Sequence, residues 1–191
     1  ICWATIPSIS RDKPTVIRLG SNLELFIDHY LIDSMINSQL IMHHPVDQGP
    51  VLFFDQSWAG PYCGYCTMIK DGDTFKLYYR GLHEAGKDGS NNETTCYAES
   101  SDGINWIKPK IKKYKKYRTK KNNIILADDA PFSHNFSPFV DSNPDAHPDE
   151  KYKALAGTKK TGLFGYASTD GIHWHKIQNK PVFTQGIFDS Q

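Results

Sequence analysis

The stretch SSDGINW, from Ser100 to Trp106, returns later in the chain as STDGIHW, from Ser168 to Trp174. The Ser and Asp side chains of such a stretch can accept hydrogen bonds from nearby backbone N–H groups, and its glycine permits a tight turn. The closing tryptophan can pack between neighbouring structural units. We therefore interpret the repeated stretch, called the SxDGxxW turn below, as a structural element and not as a binding site.

The segments that precede the two turns also match in order. The first turn follows GYCTMIKD, FKLYYRG and TTCYAES, and the second follows NFSPFVD, KYKALAG and LFGYAS. Each segment is short and rich in β-forming residues, and turn signals such as Asp71-Gly72-Asp73 and Asn143-Pro144 separate them. After each turn, IIL (124–126) or PVF (181–183) is a candidate outer strand. Repeated units of four antiparallel strands predict propeller blades, and independent hairpin pairs are the alternative.

The predicted fold is therefore an all-β β-propeller, with about two four-stranded antiparallel blades and the start of a third. We assign residues 1–50 to a lead-in segment, residues 51–126 to blade 1, residues 127–184 to blade 2 and residues 185–191 to a truncated third blade. Because propellers usually have four to eight blades, we expect this chain to be the N-terminal part of a longer protein, completed by further C-terminal blades.

The overall charge does not point to a partner, since 22 basic residues stand against 21 acidic ones. The segment KPKIKKYKKYRTKK (Lys108–Lys121) nevertheless holds nine of the basic residues. Such a run could bind nucleic acid or an anionic glycan, but we interpret it as a solvated outer strand and inter-blade loop. Nucleic acid is not expected, because no recognition motif accompanies the run. A membrane span is not expected either, because no stretch approaches roughly 18 consecutive apolar residues.

The four cysteines do not form a recognisable metal site. Cys63 and Cys66 make a CxxC pattern inside a predicted strand, where positions i and i+3 point to opposite faces. No second ligand pair completes a tetrahedral zinc set, so we expect no metal and no cofactor. A disulfide between Cys96 and either Cys63 or Cys66 remains open.

Several segments together resemble a known family. DGDTFKLYYRG, YAESSDGINW, HNFSPFVD, KYKALAG and YASTDGIHWHKIQNKPVF are similar to the opening blades of the five-bladed propeller glycoside hydrolases of families 32 and 43. The resemblance implies a five-bladed ring, a carbohydrate substrate or ligand, cleavage by paired carboxylates in a central funnel, and a secreted or periplasmic protein. The chain departs from the family pattern because it lacks NDPNG and has His134-Asn135 where RDP is expected. A non-catalytic glycan-binding module is therefore the alternative.

The predicted topology places candidate site residues at one face, before the inner strands and between the second and third strands of each blade. The candidate catalytic residues are Asp55 and Asp189. The candidate substrate-binding residues are Trp58, Arg80, His83, Glu84, Asp129, His134 and Asn135.

Overall fold

The computed structural model describes residues 16–129 and 133–186 of the chain. The chain divides between Asp47 and Gln48 into two compact units. Residues 16–47, the described part of the first unit, contain neither helix nor strand. All described strands belong to the second unit, and no helix among the described residues has the length and apolar character needed to cross a membrane.

The first sheet of the second unit is antiparallel. Its strands are β1 (Gly64–Asp71), β2 (Thr74–Gly81), β3 (Thr94–Ser100), β4 (Trp106–Ile107) and β5 (Ile124–Leu126). The strands β1 to β4 lie in chain order across the sheet, and β5 also pairs with β3. The sheet is therefore a meander whose third strand has two partners along its outer edge.

The second sheet repeats this arrangement. Its strands are β6 (Ser137–Val140), β7 (Tyr152–Thr158), β8 (Gly162–Ser168) and β9 (His175–Lys176), again antiparallel and in chain order. A short 3-10 helix, Pro148–Glu150, lies in the connection between β6 and β7. The predicted order of strand, turn, strand, loop, strand and SxDGxxW turn is thus confirmed in both sheets.

The outer position of each sheet is shared by two short segments. Strand β4 pairs with the end of β3, at Glu99 and Ser100, while β5 pairs nearer its start. In the second sheet β9 pairs with Tyr166 and Ala167, and Phe183 bridges to Leu163. The predicted outer strands IIL and PVF therefore occupy only half of the position, because the residues that follow each SxDGxxW turn take the other half.

An aromatic cluster joins the two sheets. Tyr78 from β2 lies 6.2 Å from the ring of Phe136 and 6.2 Å from that of Trp174, and the latter two rings lie 4.9 Å apart. The Tyr78 hydroxyl also donates a hydrogen bond of 2.9 Å to the Gly171 carbonyl. The second unit is thus all-β, built from two packed antiparallel sheets, and the described strands do not form a closed ring.

The two SxDGxxW turns have the same internal hydrogen bonds. In the first, the Asp102 carboxylate accepts from the Ile104 and Asn105 N–H groups at 2.8 and 2.7 Å. In the second, Asp170 accepts from the Ile172 and His173 N–H groups, both at 2.8 Å. Each turn glycine has a positive φ, 75° and 76° respectively. The structural interpretation of the repeat is confirmed, because its conspicuous polar groups bond to one another.

The two turn tryptophans differ in burial. Trp174 is only 6% exposed, since it packs between the sheets against Tyr78 and Tyr152. Trp106 is half-buried against a second apolar cluster around Tyr79 and Ile124, on the other face of the first sheet. The expectation that tryptophan packs between neighbouring units therefore holds here for the second turn, where a sheet lies on the far side of the ring.

Candidate functional site

Four charged or ionisable side chains meet at the end of the sheets where β1 begins, which we call the upper end. They are Arg80, Asp88, Glu93 and His134, named the upper cluster below. Glu93 lies directly before β3 and is completely buried. His134 comes from the segment before β6, and its Nδ1 lies 2.9 Å from Glu93 Oε2. A carboxylate of the first sheet is thus hydrogen-bonded to an imidazole of the second.

The loop between β2 and β3 holds Glu93 in place. The backbone N–H of Gly89 donates a 2.7 Å hydrogen bond to Glu93 Oε2, which therefore serves both the loop and His134. The Glu93 N–H in turn donates to the Ser90 carbonyl at 3.0 Å. A buried carboxylate is destabilising unless it has such partners. The loop is therefore folded around this carboxylate.

Arg80, near the end of β2, connects the cluster to two tyrosines. Its guanidinium pairs with Asp88 and donates to the Tyr62 carbonyl at 3.2 Å. It also lies over the ring of Tyr65, 4.4 Å from the ring centre. Tyr65 has a positive φ and lies in a bulge of β1 between Gly64 and Thr67. A β-bulge changes the direction of side chains along a strand, and here the Tyr65 ring lies against the Arg80 guanidinium. Tyr62 and Tyr65 are both substantially exposed, at 46% and 55%.

A small cavity lies beside Arg80. It is lined by Tyr65, Tyr79, Arg80, Thr95, Ser133, Asn135 and Phe136. Arg80 Nε and Ser133 Oγ are buried there and have no hydrogen-bond partner among the described residues. Buried polar groups usually have partners, and this cavity, at about 10 Å³, has room for no more than a single water molecule beside these two atoms. The upper end therefore combines two exposed aromatic rings with a buried polar cavity that is too small for a sugar.

Three residues of the upper cluster could also hold a cation. Ligand atoms of Asp88, Glu93 and His134 lie within 4.8 Å of one another. The Arg80 guanidinium already supplies positive charge to Asp88, and a metal ion would have to lie beside it. An ion-pair network is therefore the better description of this group of residues.

The predicted site residues around the upper cluster have different environments. Arg80 and His134 belong to the cluster, and Asn135 lines the adjoining cavity. His83 stacks on the ring of Tyr117, with ring centres 4.2 Å apart. Glu84 is exposed and lies 3.8 Å from the Lys87 ammonium. The structure thus brings Arg80, His134 and Asn135 together, while His83 and Glu84 lie along the loop that follows β2.

Other predicted residues have partners outside the cluster. Asp55 pairs with Lys108 at 2.8 Å, and hydrogen bonds from Lys108 and then Gln56 lower the pKa of Asp55 to about 2. The indole N–H of Trp58 donates to Asn123 Oδ1 at 2.6 Å. Asp129 pairs with Lys176 at 3.1 Å. Asp189 lies outside the described residues.

Sequence reasoning missed Asp88 and Glu93. Both lie in the connection between the second and third strands of the first sheet, which is one of the two positions expected to face the site. The same positional rule could have selected them. Glu93 was overlooked because it borders the strand TTCYAES at the end of a polar loop, where a glutamate usually faces solvent.

No protein-family model matches this chain, and no curated protein matches it. The solved structures that are similar to it include the following two. A glycosyl hydrolase from Bacteroides ovatus has 19% identity over 68% of this chain, with a TM-score of 0.42. The Bombyx mori GH32 beta-fructofuranosidase BmSUC1 has 21% identity over 59% of this chain, with a TM-score of 0.38. The matched regions cover 35% and 22% of those two chains.

Cys63, Cys66 and Cys96 are free thiols. Cys96 is fully buried, and burial raises its pKa to about 12. A thiol with such a pKa is a poor nucleophile and a poor metal ligand near neutral pH. Cys96 therefore takes no part in the candidate site.

Proposed function

We propose that this chain is part of a carbohydrate-active β-propeller and that it binds a saccharide at the upper cluster. The observation that carries the proposal is the Arg80 guanidinium, which lies on the exposed ring of Tyr65 and donates to the backbone carbonyl of Tyr62, whose ring is also exposed. A binding site of this kind offers an apolar face and a few convergent polar atoms. A sugar ring matches it with C–H groups on its face and hydroxyl groups on its edge.

The buried Glu93–His134 pair supports a functional role for this end of the sheets. Replacing buried ionic pairs by packed apolar residues is often neutral or stabilising, so such pairs are weak candidates for purely structural elements. Here the pair spans 41 positions of sequence and joins two sheets. The pair fixes the position of the upper loop of the first sheet relative to that of the second sheet. A rigid binding site needs loops that are held in this way.

Glycoside hydrolysis is a second candidate, favoured by the approach of Asp88 to Glu93. Retaining enzymes use two carboxyl groups about 5–5.5 Å apart, and inverting enzymes use a wider separation. Oxygen atoms of Asp88 and Glu93 lie within 4.8 Å. Glu93 is fully buried and Asp88 is paired with Arg80, so hydrolysis requires that these contacts open. Binding without hydrolysis needs no such change and is our first proposal.

The resemblance supports further parts of the same proposal. In this proposal Asp55 and Asp189 are the candidate catalytic carboxylates of the protein. The full protein forms a five-bladed ring with additional blades, and it is exported from the cytoplasm. Asp55 could act only after separation from Lys108, which holds it as a charged carboxylate.

The test is a binding screen of the full chain against plant, algal and bacterial oligosaccharides, with reducing-end release measured on the same panel. Tyr65→Ala should weaken binding about tenfold, the order of one aromatic contact. Phe53→Ala removes another exposed ring and is the matched control, since Phe53 is 63% exposed and lines neither the upper cluster nor its cavity. Equal saccharide affinity in wild type, Tyr65→Ala and Arg80→Ala would show that the upper cluster is not the binding site. Sugar release that disappears in Asp88→Asn would favour hydrolysis.

A further inference from the structure

The lysine-rich run is a folded element, which we call the basic hairpin (residues 108–121). Lys116 and Thr119 exchange two backbone hydrogen bonds of 3.0 and 2.9 Å around Tyr117 and Arg118. Both central residues have positive φ, 49° and 65°, which is the geometry of a type I′ turn. The hairpin therefore presents its charges from a defined backbone.

The side-chain amide of Asn122 stabilises the basic hairpin. Asn122 is buried, and its Nδ2 donates to the carbonyls of Tyr114 and Thr119 at 2.9 and 3.1 Å. Ile111 packs against the aromatic cluster between the sheets, and Tyr114 packs against the opposite cluster. These apolar anchors hold the run on the sheet surface instead of leaving it as a solvated tail.

The tip of the hairpin lies against the loop that builds the upper cluster. The Tyr117 ring stacks on His83, and Lys116 Nζ donates to the Asn91 carbonyl at 3.2 Å. His83 and Asn91 belong to the connection between β2 and β3, which also carries Asp88 and Glu93. The basic hairpin is therefore placed beside the proposed saccharide site.

Much of the positive charge on the hairpin is not neutralised by the protein. Lys108 and Lys116 pair with Asp55 and Asp128. Seven further basic residues are exposed and form no salt bridge among the described residues: Lys110, Lys112, Lys113, Lys115, Arg118, Lys120 and Lys121. The whole chain has a formal charge of only +1, so this surplus is local. Closely spaced like charges repel one another, and an anionic ligand relieves that repulsion.

We infer that the saccharide is anionic, with carboxylate or sulfate groups that the basic hairpin contacts while the sugar rings lie on the upper cluster. This inference rests on the proposed carbohydrate function. A single-stranded nucleic acid fits less well, because it needs aromatic rings free to stack with bases. In the hairpin, Tyr114 is packed against the apolar cluster and Tyr117 is stacked on His83.

The experiment measures the affinity of the full chain for polygalacturonate, alginate, carrageenan and chondroitin sulfate. Each is paired with its neutral form, obtained by methyl esterification or desulfation, and single-stranded DNA is a further arm. Lys115→Glu/Lys120→Glu should weaken anionic glycan binding by on the order of tenfold at low salt, with the difference shrinking as salt rises. Lys70→Glu/Lys180→Glu makes the same change of charge at exposed positions outside the hairpin and should have little effect.

The possible results separate the inference from the proposed function. A preference for a charged glycan over its neutral form, lost in the hairpin variant and kept in the control, supports the inference. The carboxylated and sulfated arms show which anionic group is recognised. Equal binding of neutral and charged forms that depends on Tyr65 overturns the inference and leaves the proposed function standing. Tighter binding of DNA than of any glycan overturns both, and so does failure to bind every glycan.

Discussion

At the scale of single residues, the most informative group is the carboxylate of Glu93. It has no exposed surface, yet it bonds to an imidazole from another sheet and to a backbone N–H of its own loop. Buried charged groups are retained only when their partners are well placed. Glu93 therefore couples the shape of the upper loop to the position of the second sheet.

Removal of one member of this pair should be strongly destabilising. Glu93→Ala should lower the free energy of unfolding by about 3 kcal/mol, since it leaves His134 without its partner. His134→Ala should have a similar effect, and the double variant should lose less than the sum of the two, because the second substitution removes a group that is already unpaired. Urea unfolding of the four proteins checks this. Additive losses would show that the two side chains are not coupled.

The two SxDGxxW turns provide a matched pair of sites for a second prediction. Asp170→Ala should lower the free energy of unfolding by about 1–2 kcal/mol, because the turn it closes also places Gly171 under the Tyr78 hydroxyl between the sheets. Asp102→Ala should have a smaller effect, since its turn lies outside that interface. Neither change should alter saccharide affinity, because both turns lie at the opposite end of the sheets from the upper cluster. Reduced affinity with an unchanged melting temperature would contradict the structural role.

The Asp170 turn also predicts a dependence on pH. Burial raises the pKa of Asp170, but hydrogen bonds from His173, Ile172 and Ser168 outweigh it, so the pKa lies below the ordinary value of 3.8. A lowered pKa adds stability that is present above the unfolded pKa and lost as pH falls through the folded one. Asp170→Asn should therefore be less stable than wild type at pH 7, with the difference narrowing below about pH 4. A difference independent of pH would exclude this linkage.

At the scale of elements, the basic hairpin shows a conflict between sequence and backbone. A two-residue type I′ turn strongly favours Asn-Gly, yet here Tyr117 and Arg118 occupy both positive-φ positions. The left-handed conformation is unfavourable for such side chains. The stack of Tyr117 on His83 and the bond from Lys116 to Asn91 offset part of that strain by tying the turn to the upper loop.

Relief of this strain should stabilise the protein. Arg118→Gly should raise the free energy of unfolding by about 0.5 kcal/mol, because glycine adopts positive φ without a steric penalty. Lys120→Gly is the matched control, since Lys120 is not among the positive-φ residues and glycine there only adds freedom to the unfolded chain. Urea titrations of both variants measure the difference. A loss of stability in Arg118→Gly as large as that in Lys120→Gly would argue against a strained turn.

At the scale of the whole molecule, the second unit depends on the aromatic cluster that joins its two sheets. Tyr78, Phe136 and Trp174 contribute rings from both sheets, and Tyr152 adds a fourth. Aromatic rings bury large areas and pack edge to face, which favours a defined angle between the sheets. This packing reaches both functional features, because Phe136 also lines the cavity beside Arg80 and Ile111 of the basic hairpin packs against the cluster.

Loss of the central ring should affect the unit as a whole. Trp174→Ala should lower the free energy of unfolding by about 3–5 kcal/mol, because it opens a cavity between the sheets. Trp106→Ala should be clearly milder, since Trp106 is half-buried at the corresponding position of the first sheet. Thermal unfolding followed by near-ultraviolet circular dichroism measures both. Equal losses would show that the sheet interface is not the principal support of the second turn.

The features that the sequence by itself determined are local ones. The SxDGxxW turns could be predicted because their donors and acceptors lie within a few positions of one another, as between Asp102 and Asn105. The order of strands could be predicted because β-forming residues and turn residues alternate along the chain. Arg80 and His134 could be placed at the same end of the sheets, since alternating strand direction brings specified connections to one end.

Only the tertiary structure decided which side chains meet. Glu93 and His134 are 41 positions apart, and Asp55 and its partner Lys108 are 53 apart. No local pattern encodes such a pairing, because it depends on how two sheets pack and where a long connection returns. The same reason explains why Trp106 and Trp174, identical in their turns, differ in burial. A side chain has its type from the sequence, but it has its partner and its surroundings from the packing of distant segments.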